Sequence, residues 1–153
     1  MKIEDILTEQ LVLSDLVARS KTDVLVQLAN AVAAQHADID TARLVGALED
    51  RERLNTTALG DGVAIPHGKL RGIRRVIAAF ARSRAGIDFQ ALDGKPTHLF
   101  FLLVAPEDSA GAHLKALARI SRLLKDPAFR ARLLEAPDAH TIWTIIRDED
   151  ARY

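Results

Sequence analysis

The sequence predicts an α/β fold in which helices flank a small mixed central β-sheet. The segment Thr97–Val104 is apolar at nearly every position, which is typical of a strand buried on both faces beneath covering helices. Amphipathic segments with helical period lie before, between and after the short apolar runs that favour strands. The length of 153 residues favours one domain over residues 1–153, because a typical domain holds about 150 residues.

The first third of the chain predicts two helices. Ser20 and Asp23 form a start that resembles a capping box, and the apolar positions that follow continue a helical stripe to about His36. Asp40 is placed to cap a second helix that ends near Arg53.

Turn residues and short apolar runs replace this helical pattern in the middle of the chain. Asn55–Gly62 is rich in Asn, Thr, Asp and Gly, and it precedes a β-like run, Val63–Ile65, that Pro66 stops. Val76–Ala81 is a second apolar run, and we expect Gly86–Pro96 to be a connection that contains a short strand. These segments predict short strands beside the long buried one.

The last third predicts three further helices. A loop over Ala105–Gly111 leads into a helix with an apolar stripe on one side. This stripe consists of Leu114, Leu117, Ile120 and Leu124. Asp126 followed by Pro127 has the form of an N-cap and a first-turn proline, and Asp138 is placed to cap the last helix.

Charge and composition exclude several classes of protein. Lys plus Arg and Asp plus Glu both number 21, so a nucleic-acid partner, which needs an excess of basic residues, is not expected. The absence of cysteine excludes disulfide scaffolds and thiol chemistry. No apolar run approaches about 18 residues and the N-terminus lacks a signal-peptide core, so we expect a soluble cytoplasmic protein without membrane insertion.

Two of the five histidines stand where a side chain can meet a partner. His67 follows the short strand and lies between Pro66 and Gly68, which restrict its backbone and leave its imidazole little covered. His113 opens the helix after the long strand, on the inward side of that helix. Since ligands of open α/β sheets collect beyond the carboxyl ends of strands, we expect both histidines at one edge of the sheet. Taken alone, His67 could equally be a structural histidine in a turn, and His113 is more simply explained as a core histidine; the two positions together favour a site.

The remaining histidines are more simply explained by structure. His36 with Asp38 and Asp40 could in principle bind a metal ion, but the spacing matches no recognised ligand motif, and helix ends account for it. His98 lies inside the buried strand, where a hydrogen-bonded neutral imidazole is expected. His140 is expected at the surface.

Positive charge is expected beside His67. The basic residues that follow it closely would give one side of the site a positive potential. They are Lys69, Arg71, Arg74 and Arg75. The dipole at the start of the helix that carries His113 likewise favours an anion.

The chain resembles a known family through a specific run of residues. Glu52, six further residues and then Leu59–Gly68 (LGDGVAIPHG) are similar to the phosphorylation-site signature of the type-2 IIA components, the mannitol/fructose type, of the bacterial phosphoenolpyruvate-dependent phosphotransferase system. Elsewhere the chain resembles the nitrogen-regulatory branch of that family, so that nearly the whole chain is covered. The matching segments are Ser20–Lys21, Arg51–Arg53, His67–Leu70, Phe101–Asp108 and His113–Ile120.

The resemblance implies a phosphohistidine carrier. In this family an HPr-like protein, itself phosphorylated from phosphoenolpyruvate through Enzyme I, transfers its phosphoryl group to a histidine. The resemblance places that acceptor at His67, as tele-phosphohistidine, a second active-site histidine at His113 and an arginine that stabilises the phosphoryl charge at Arg51. No cofactor is implied, and we expect no metal ion because positive groups are already present.

The nitrogen-regulatory branch implies regulation rather than sugar uptake. The expected donor is NPr, the HPr-like phosphocarrier of that branch, charged by the nitrogen-branch Enzyme I. The phosphorylation state would control binding to regulatory targets such as potassium transport proteins or sensor kinases. The docking surface should surround His67, with the apolar residues of Gly62–Ile65 and the exposed side of the helix that carries His113 as candidates.

Three alternatives stay open from the sequence. A sugar-specific (fructose/mannitol) IIA subunit would pass the phosphoryl group to a separate IIB component or permease. A pure interaction module would keep the fold without catalysis, although His67 and Arg51 are both present. A metal hydrolase would use His36, His67 and His113, and metal analysis of the purified protein would reveal it.

Overall fold

The computed structural model describes residues 1–153 and places six strands in one mixed β-sheet. The strands are β1 (Val12–Leu13), β2 (Ala58–Gly60), β3 (Val63–Ala64), β4 (His67–Leu70), β5 (Ile77–Ile87) and β6 (Thr97–Pro106). The α-helices that flank them are α1 (Lys21–Gln35), α2 (Thr41–Leu54), α3 (Ala110–Leu124), α4 (Pro127–Glu135) and α5 (Ala139–Asp150). The predicted α/β class with a small mixed sheet is therefore confirmed. None of these helices combines the length and the apolar character that a membrane crossing requires.

The strand β6 is the centre of the sheet because it pairs along both edges. On one edge β5 runs antiparallel to it, with Phe80 opposite Phe101. On the other edge β3 and β4 both run parallel to it, and β1 and β2 extend the sheet beyond β5 and β3. Every residue of β6 is buried except the half-buried His98. The prediction of a strand covered on both faces is confirmed.

The break between β3 and β4 places His67 within the sheet. Both short strands pair with β6, and His67 lies opposite Leu103, so the two strands lie end to end along one edge. Ile65 and Pro66 connect them, and the Pro66 carbonyl still accepts a hydrogen bond from the Leu103 N–H at 3.0 Å. His67 therefore begins a strand, rather than lying beyond the end of the sheet as predicted. The sequence pattern shows where Pro66 stops one strand, but not that pairing resumes at the next residue.

The four predicted N-caps are confirmed. The side chains of Ser20, Asp40, Asp126 and Asp138 each accept a hydrogen bond from a backbone N–H in the first turn of the helix that follows. The first helix ends with His36 as its C-cap. The predicted helix boundaries are therefore right to within one or two residues.

Besides β4, two further strands lie where the sequence predicted none. The two residues of β1 pair parallel with Phe80 and Ala81 of β5. The strand β2 lies inside the turn-rich segment Asn55–Gly62 and pairs antiparallel with β3. Strands this short are held by their neighbours, which a local pattern does not reveal.

The strand β5 runs further than its apolar pattern predicted, to Ile87 rather than Ala81. Arg82 interrupts the apolar run in the sequence, yet its side chain is fully buried. Its guanidinium donates hydrogen bonds to the carbonyls of Ser14 and Leu133, both at 2.9 Å. The short strand expected in the connection that follows is therefore only the end of β5.

Candidate active site

An open cleft of about 610 Å³ lies between the end of α2, the start of β4 and the first turns of α3. Arg51, His67 and His113 all line it. Each comes from a different element, so the structure brings together the three residues that the sequence nominated.

His67 and Arg51 are in direct contact. Arg51 Nε donates a hydrogen bond to His67 Nε2 at 3.1 Å, and Arg51 Nη1 donates one to the Asn55 carbonyl at 2.9 Å. The helix α2 packs closely on β4, because a Cβ atom on Gly68 would lie only 3.3 Å from the Cβ of Ala47. Because Gly68 has no side chain, α2 can lie close enough to β4 for Arg51 to contact His67, 16 residues further along the chain.

The contact of His67 Nδ1 shows which ring nitrogen carries the proton. His67 Nδ1 lies 2.8 Å from the carbonyl oxygen of Ile65. A carbonyl oxygen can only accept, so the proton is on Nδ1, and Nε2 carries the lone pair that accepts from Arg51. Burial lowers the pKa of His67 and the charge of Arg51 lowers it further, while the Ile65 carbonyl and the Glu52 carboxylate oppose this shift. The hydrogen bonds with Ile65 and Arg51 both require the neutral tautomer with the proton on Nδ1.

His113 packs against the ring of His67. The ring centroids are 5.4 Å apart and the planes are 71° from parallel, an edge-to-face arrangement. His113 is 5% exposed, and its Nδ1 is buried without a hydrogen-bond partner. Burial lowers the pKa of His113, and the neighbouring His67 and Lys69 lower it further. The site therefore holds two imidazoles whose charged forms are disfavoured.

The start of α3 adds backbone donors to the cleft. Ser109 is the N-cap residue, but its side chain accepts no hydrogen bond from the helix. Ala110, the first residue of the helix, lines the cleft. Unpaired N–H groups and the helix dipole at such a start favour a bound anion. The helix start thus adds to the positive potential that Arg51 creates.

Only one of the four basic residues that follow the β4 histidine, Lys69, lines this cleft. Arg71, Arg74 and Arg75 come after the end of β4, where the chain turns away. Arg71 instead pairs with Glu107, with 3.1 Å between Nε and Oε2. We expected a positive potential at the cleft from all four residues, but only Lys69 contributes to it. The chain turns after β4, so the three arginines lie outside the cleft.

The other three histidines lie outside the cleft. His36 caps the end of α1, and no group of three or more His, Cys, Asp or Glu side chains is arranged to hold a metal ion. His98 is hydrogen-bonded through Nδ1 to the Ser83 carbonyl at 2.9 Å, as expected of a structural histidine. His140 is exposed, as predicted, and contacts Glu9 at 2.6 Å.

Glu52 is buried next to the cleft, and sequence reasoning assigned it no role. Its side chain is 6% exposed. It accepts hydrogen bonds from the N–H of Thr57 at 3.1 Å and from the Thr57 hydroxyl, and it pairs with Lys21 Nζ at 2.8 Å. The only signal in the sequence was its place at the head of the signature, because no local pattern tells what a buried carboxylate contacts.

Two large apolar side chains are exposed at the cleft. Leu54 is 79% exposed and Leu114 is 66% exposed, and both line the cleft. Val63 and Ile65, from the other expected docking segment, line a separate cleft. The apolar surface beside the two histidines is therefore formed by the end of α2 and the start of α3.

Comparison with known families and structures defines the class of protein. The sequence profile of the family described as "Phosphoenolpyruvate-dependent sugar phosphotransferase system, EIIA 2" matches residues 5–149. The chain therefore belongs to the type-2 EIIA family of this phosphotransferase system, as the signature around His67 indicated.

Relatives within this family fall into two groups. The chain is 42% identical over 146 residues to a nitrogen regulatory protein of Bradyrhizobium diazoefficiens, covering 95% of each chain. It is 34% identical over 150 residues to the fructose-specific EIIABC component of Bacillus subtilis, covering 98% of this chain but only 24% of that protein. The crystal structure of nitrogen regulatory protein IIA-Ntr from Neisseria meningitidis superimposes with a TM-score of 0.88 at 31% identity, covering 94% of this chain and 98% of that one. The expected type-2 IIA fold is confirmed.

Proposed function

We propose that this chain is a phosphocarrier in which Nε2 of His67 accepts a phosphoryl group from an HPr-like protein. The observation that carries the proposal is the pair of hydrogen bonds at the imidazole. With the proton on Nδ1, held by the Ile65 carbonyl at 2.8 Å, the lone pair of Nε2 is the available nucleophile. The product of the reaction is tele-phosphohistidine.

The proposed transfer needs no proton movement at His67. The Nε2 lone pair gives up its hydrogen bond from Arg51 Nε–H and forms a bond to phosphorus, and the donor atom keeps the electron pair of the bond that breaks. Nδ1 retains its proton and its hydrogen bond to Ile65. Since phosphoryl transfer depends mainly on in-line positioning and charge stabilisation, the protein contributes the orientation of the ring and the positive groups around it.

We assign the stabilisation of the phosphoryl charge to Arg51. Its Nε lies 3.1 Å from the attacking nitrogen, so oxygens of a phosphoryl group on Nε2 would lie within reach of its N–H groups, and a guanidinium is always charged. His113, with its ring 5.4 Å from that of His67, is proposed as the second active-site histidine. Lys69 and the start of α3, which has no side-chain cap, are proposed to stabilise the negative charge of the phosphoryl group as well.

We propose NPr as the donor, with a nitrogen-branch Enzyme I upstream, and a regulatory output. Similarity over nearly the full chain to proteins named nitrogen regulatory protein supports this choice. The phosphoryl oxygens would carry up to about two negative charges beside Leu54 and Leu114, partly offset by the positive charge of a phosphorylated ring that keeps its Nδ1 proton, without refolding the domain. Regulatory targets, of which potassium transport proteins and sensor kinases are the expected classes, would distinguish the two forms by this change.

A sugar-specific IIA subunit is the second candidate function. The similarity to a fructose-specific EIIABC component over 98% of this chain favours it. In that case, His67 would pass its phosphoryl group to a separate IIB component. The donor that reacts with the chain distinguishes the two candidates.

The test is intact-mass analysis after incubation with phosphoenolpyruvate, Enzyme I and an HPr-like donor. One acid-labile phosphoryl group is expected on the wild type and none on a His67→Ala variant, with the nitrogen-branch donor. Transfer only from the sugar-branch donor would favour the second candidate, and labelling of the His67→Ala variant would contradict the proposed acceptor. Transfer from a donor that is already phosphorylated should also continue in excess chelator.

A further inference from the structure

We propose that Glu52 is a positioning residue that holds His67 in its reactive tautomer through a chain of hydrogen bonds. The inference rests on the proposed function of His67 and adds a buried residue to it. Glu52 lies in the last turn of α2, next to Arg51, and its side chain is 6% exposed. No hydrogen bond joins it to His67; its charge raises the pKa of that histidine, and the geometric restraint on the ring runs through other residues.

The first link of the chain is Thr57, which Glu52 holds at two points. The Thr57 N–H donates to one carboxylate oxygen at 3.1 Å, and the Thr57 hydroxyl donates to the other. Thr57 is itself 5% exposed. Hydrogen bonds to an ionised carboxylate are stronger than neutral ones, so this double contact fixes both the backbone and the side chain of Thr57.

The second and third links lead from Thr57 to the imidazole. The Ile65 N–H donates to the Thr57 carbonyl at 3.1 Å. The Ile65 carbonyl accepts from His67 Nδ1 at 2.8 Å, which is the bond that keeps the proton off Nε2. Hydrogen bonds in such a series polarise one another. Displacement of Thr57 would therefore move the carbonyl that selects the tautomer.

Lys21 completes the arrangement from the first helix. Its Nζ lies 2.8 Å from Glu52 Oε2, and its side chain is 18% exposed. Its Nζ also lies 4.8 Å from the centre of the Phe89 ring. A buried carboxylate without a partner is costly, so Lys21 balances the charge that Glu52 needs to hold Thr57. The two residues are 31 positions apart, and α1 and α2 pack against each other.

The same loop also holds Arg51. The Asn55 carbonyl accepts from Arg51 Nη1 at 2.9 Å, and Asn55 lies between Glu52 and Thr57 in the chain. Glu52 is thus linked by hydrogen bonds to the carbonyl at Nδ1, and it anchors Thr57 in the same loop whose Asn55 carbonyl holds the guanidinium at Nε2. This double effect is what we expect of a positioning residue rather than of a simple structural ion pair.

The experiment compares wild type with Glu52→Gln. A glutamine has the same shape but no charge, so the contacts with Thr57 are no longer bonds to an ionised carboxylate and Lys21 loses its charged partner. The ¹⁵N chemical shifts of the His67 ring are expected to show one Nδ1–H tautomer in the wild type and a mixture in the variant. Single-turnover transfer from a phosphorylated donor should slow about tenfold or more, the lower end of the loss seen when a metal-ligating histidine loses its outer hydrogen-bond partner.

Glu49→Gln is the matched control. Glu49 lies one turn earlier in α2 and pairs only with the exposed Arg53, at 3.8 Å. We expect this variant to keep the ring shifts and the transfer rate of the wild type. A folded Glu52→Gln variant with wild-type shifts and rate would overturn the inference.

Variants of Lys21 keep the proposal testable if Glu52→Gln does not fold. Lys21→Met should show mixed tautomers of His67 and slower transfer. Lys21→Arg should keep the single tautomer and the transfer rate of the wild type. A Lys21→Met variant with the tautomer and rate of the wild type would refute the role of the Lys21–Glu52 pair. The ring shifts need no phosphoryl donor. Failure of the wild type to accept phosphate would therefore count against the proposed function, while the shifts would still decide the role of Glu52.

Discussion

Replacement of Arg51 by glutamine tests the chemistry of the cleft most directly. The variant loses the Nε–H that donates to His67 Nε2 at 3.1 Å, and it loses the positive charge proposed to stabilise the phosphoryl group. The charge of Arg51 also lowers the pKa of His67, in addition to the larger effect of burial. Its removal should therefore raise that pKa, and the acid limb of the rate profile should move to higher pH.

The size of the effect follows from the contact that is lost. A hydrogen bond that involves a charged group is worth roughly 1.5–3 kcal/mol. Arg51 is proposed to donate such a bond to a phosphoryl oxygen in the transition state, once the Nε2 lone pair bonds to phosphorus, so its loss slows transfer by roughly 10- to 150-fold, at about 1.36 kcal/mol for each factor of ten. Folding should be little affected, because Arg51 is half-buried and forms no salt bridge.

The assay is single-turnover transfer from a phosphorylated HPr-like donor, with the His67 ring titrated by NMR in the same samples. Arg53→Gln is the control, because Arg53 lies in the same turn but is exposed and contacts Asp50 and Glu49. Two results together would refute the reasoning. They are a transfer rate of Arg51→Gln within about twofold of wild type, a difference of only about 0.4 kcal/mol, and an unchanged titration of His67.

Three further predictions address pH, packing and the second histidine. Burial lowers the pKa of His67 and His113, so the unfolded chain binds protons that the folded chain does not, and the free energy of unfolding should fall as the pH drops below about 6.5. Urea unfolding measures this, and a variant with both histidines changed to Gln should lose less stability on acidification. Gly46→Ala should stabilise by about 0.5–1 kcal/mol because a Cβ there meets nothing within 4 Å. Gly68→Ala, crowded by Ala47 at 3.3 Å, should lower both the melting temperature and the transfer rate, and equal melting temperatures for the two glycine variants would contradict this. His113→Ala should slow transfer but still reach full labelling, which a time course of intact mass would show.

The helices could be predicted because their start signals are local. The capping side chains of Ser20, Asp40, Asp126 and Asp138 each bond an N–H two or three residues further on. A contact over such a short distance depends on little besides the residues in that segment. The same holds for Pro127, whose fixed φ suits the first turn of a helix.

The short strands depended on partners that are distant in the sequence. Pro66 stops one strand in the local pattern, but pairing resumes at His67 because β6 offers an edge there. Arg82 interrupts an apolar run, but β5 continues through it because carbonyls from two other segments accept hydrogen bonds from its Nε and Nη1. Strand boundaries follow the available partners more than the residues themselves.

The candidate site also has features that the sequence could predict and features that depend on tertiary contacts. Residue chemistry nominated His67, between a proline and a glycine, together with His113, whereas Arg51 was nominated by the family resemblance alone. Only the tertiary structure decided which nitrogen of His67 carries the proton, because the Ile65 carbonyl and Arg51 approach opposite ring nitrogens. It also placed Glu52 in contact with Thr57 and Lys21. Hydrogen bonds are directional and short-ranged, so the contacts between α2, β4 and their neighbours exist only after these elements pack together.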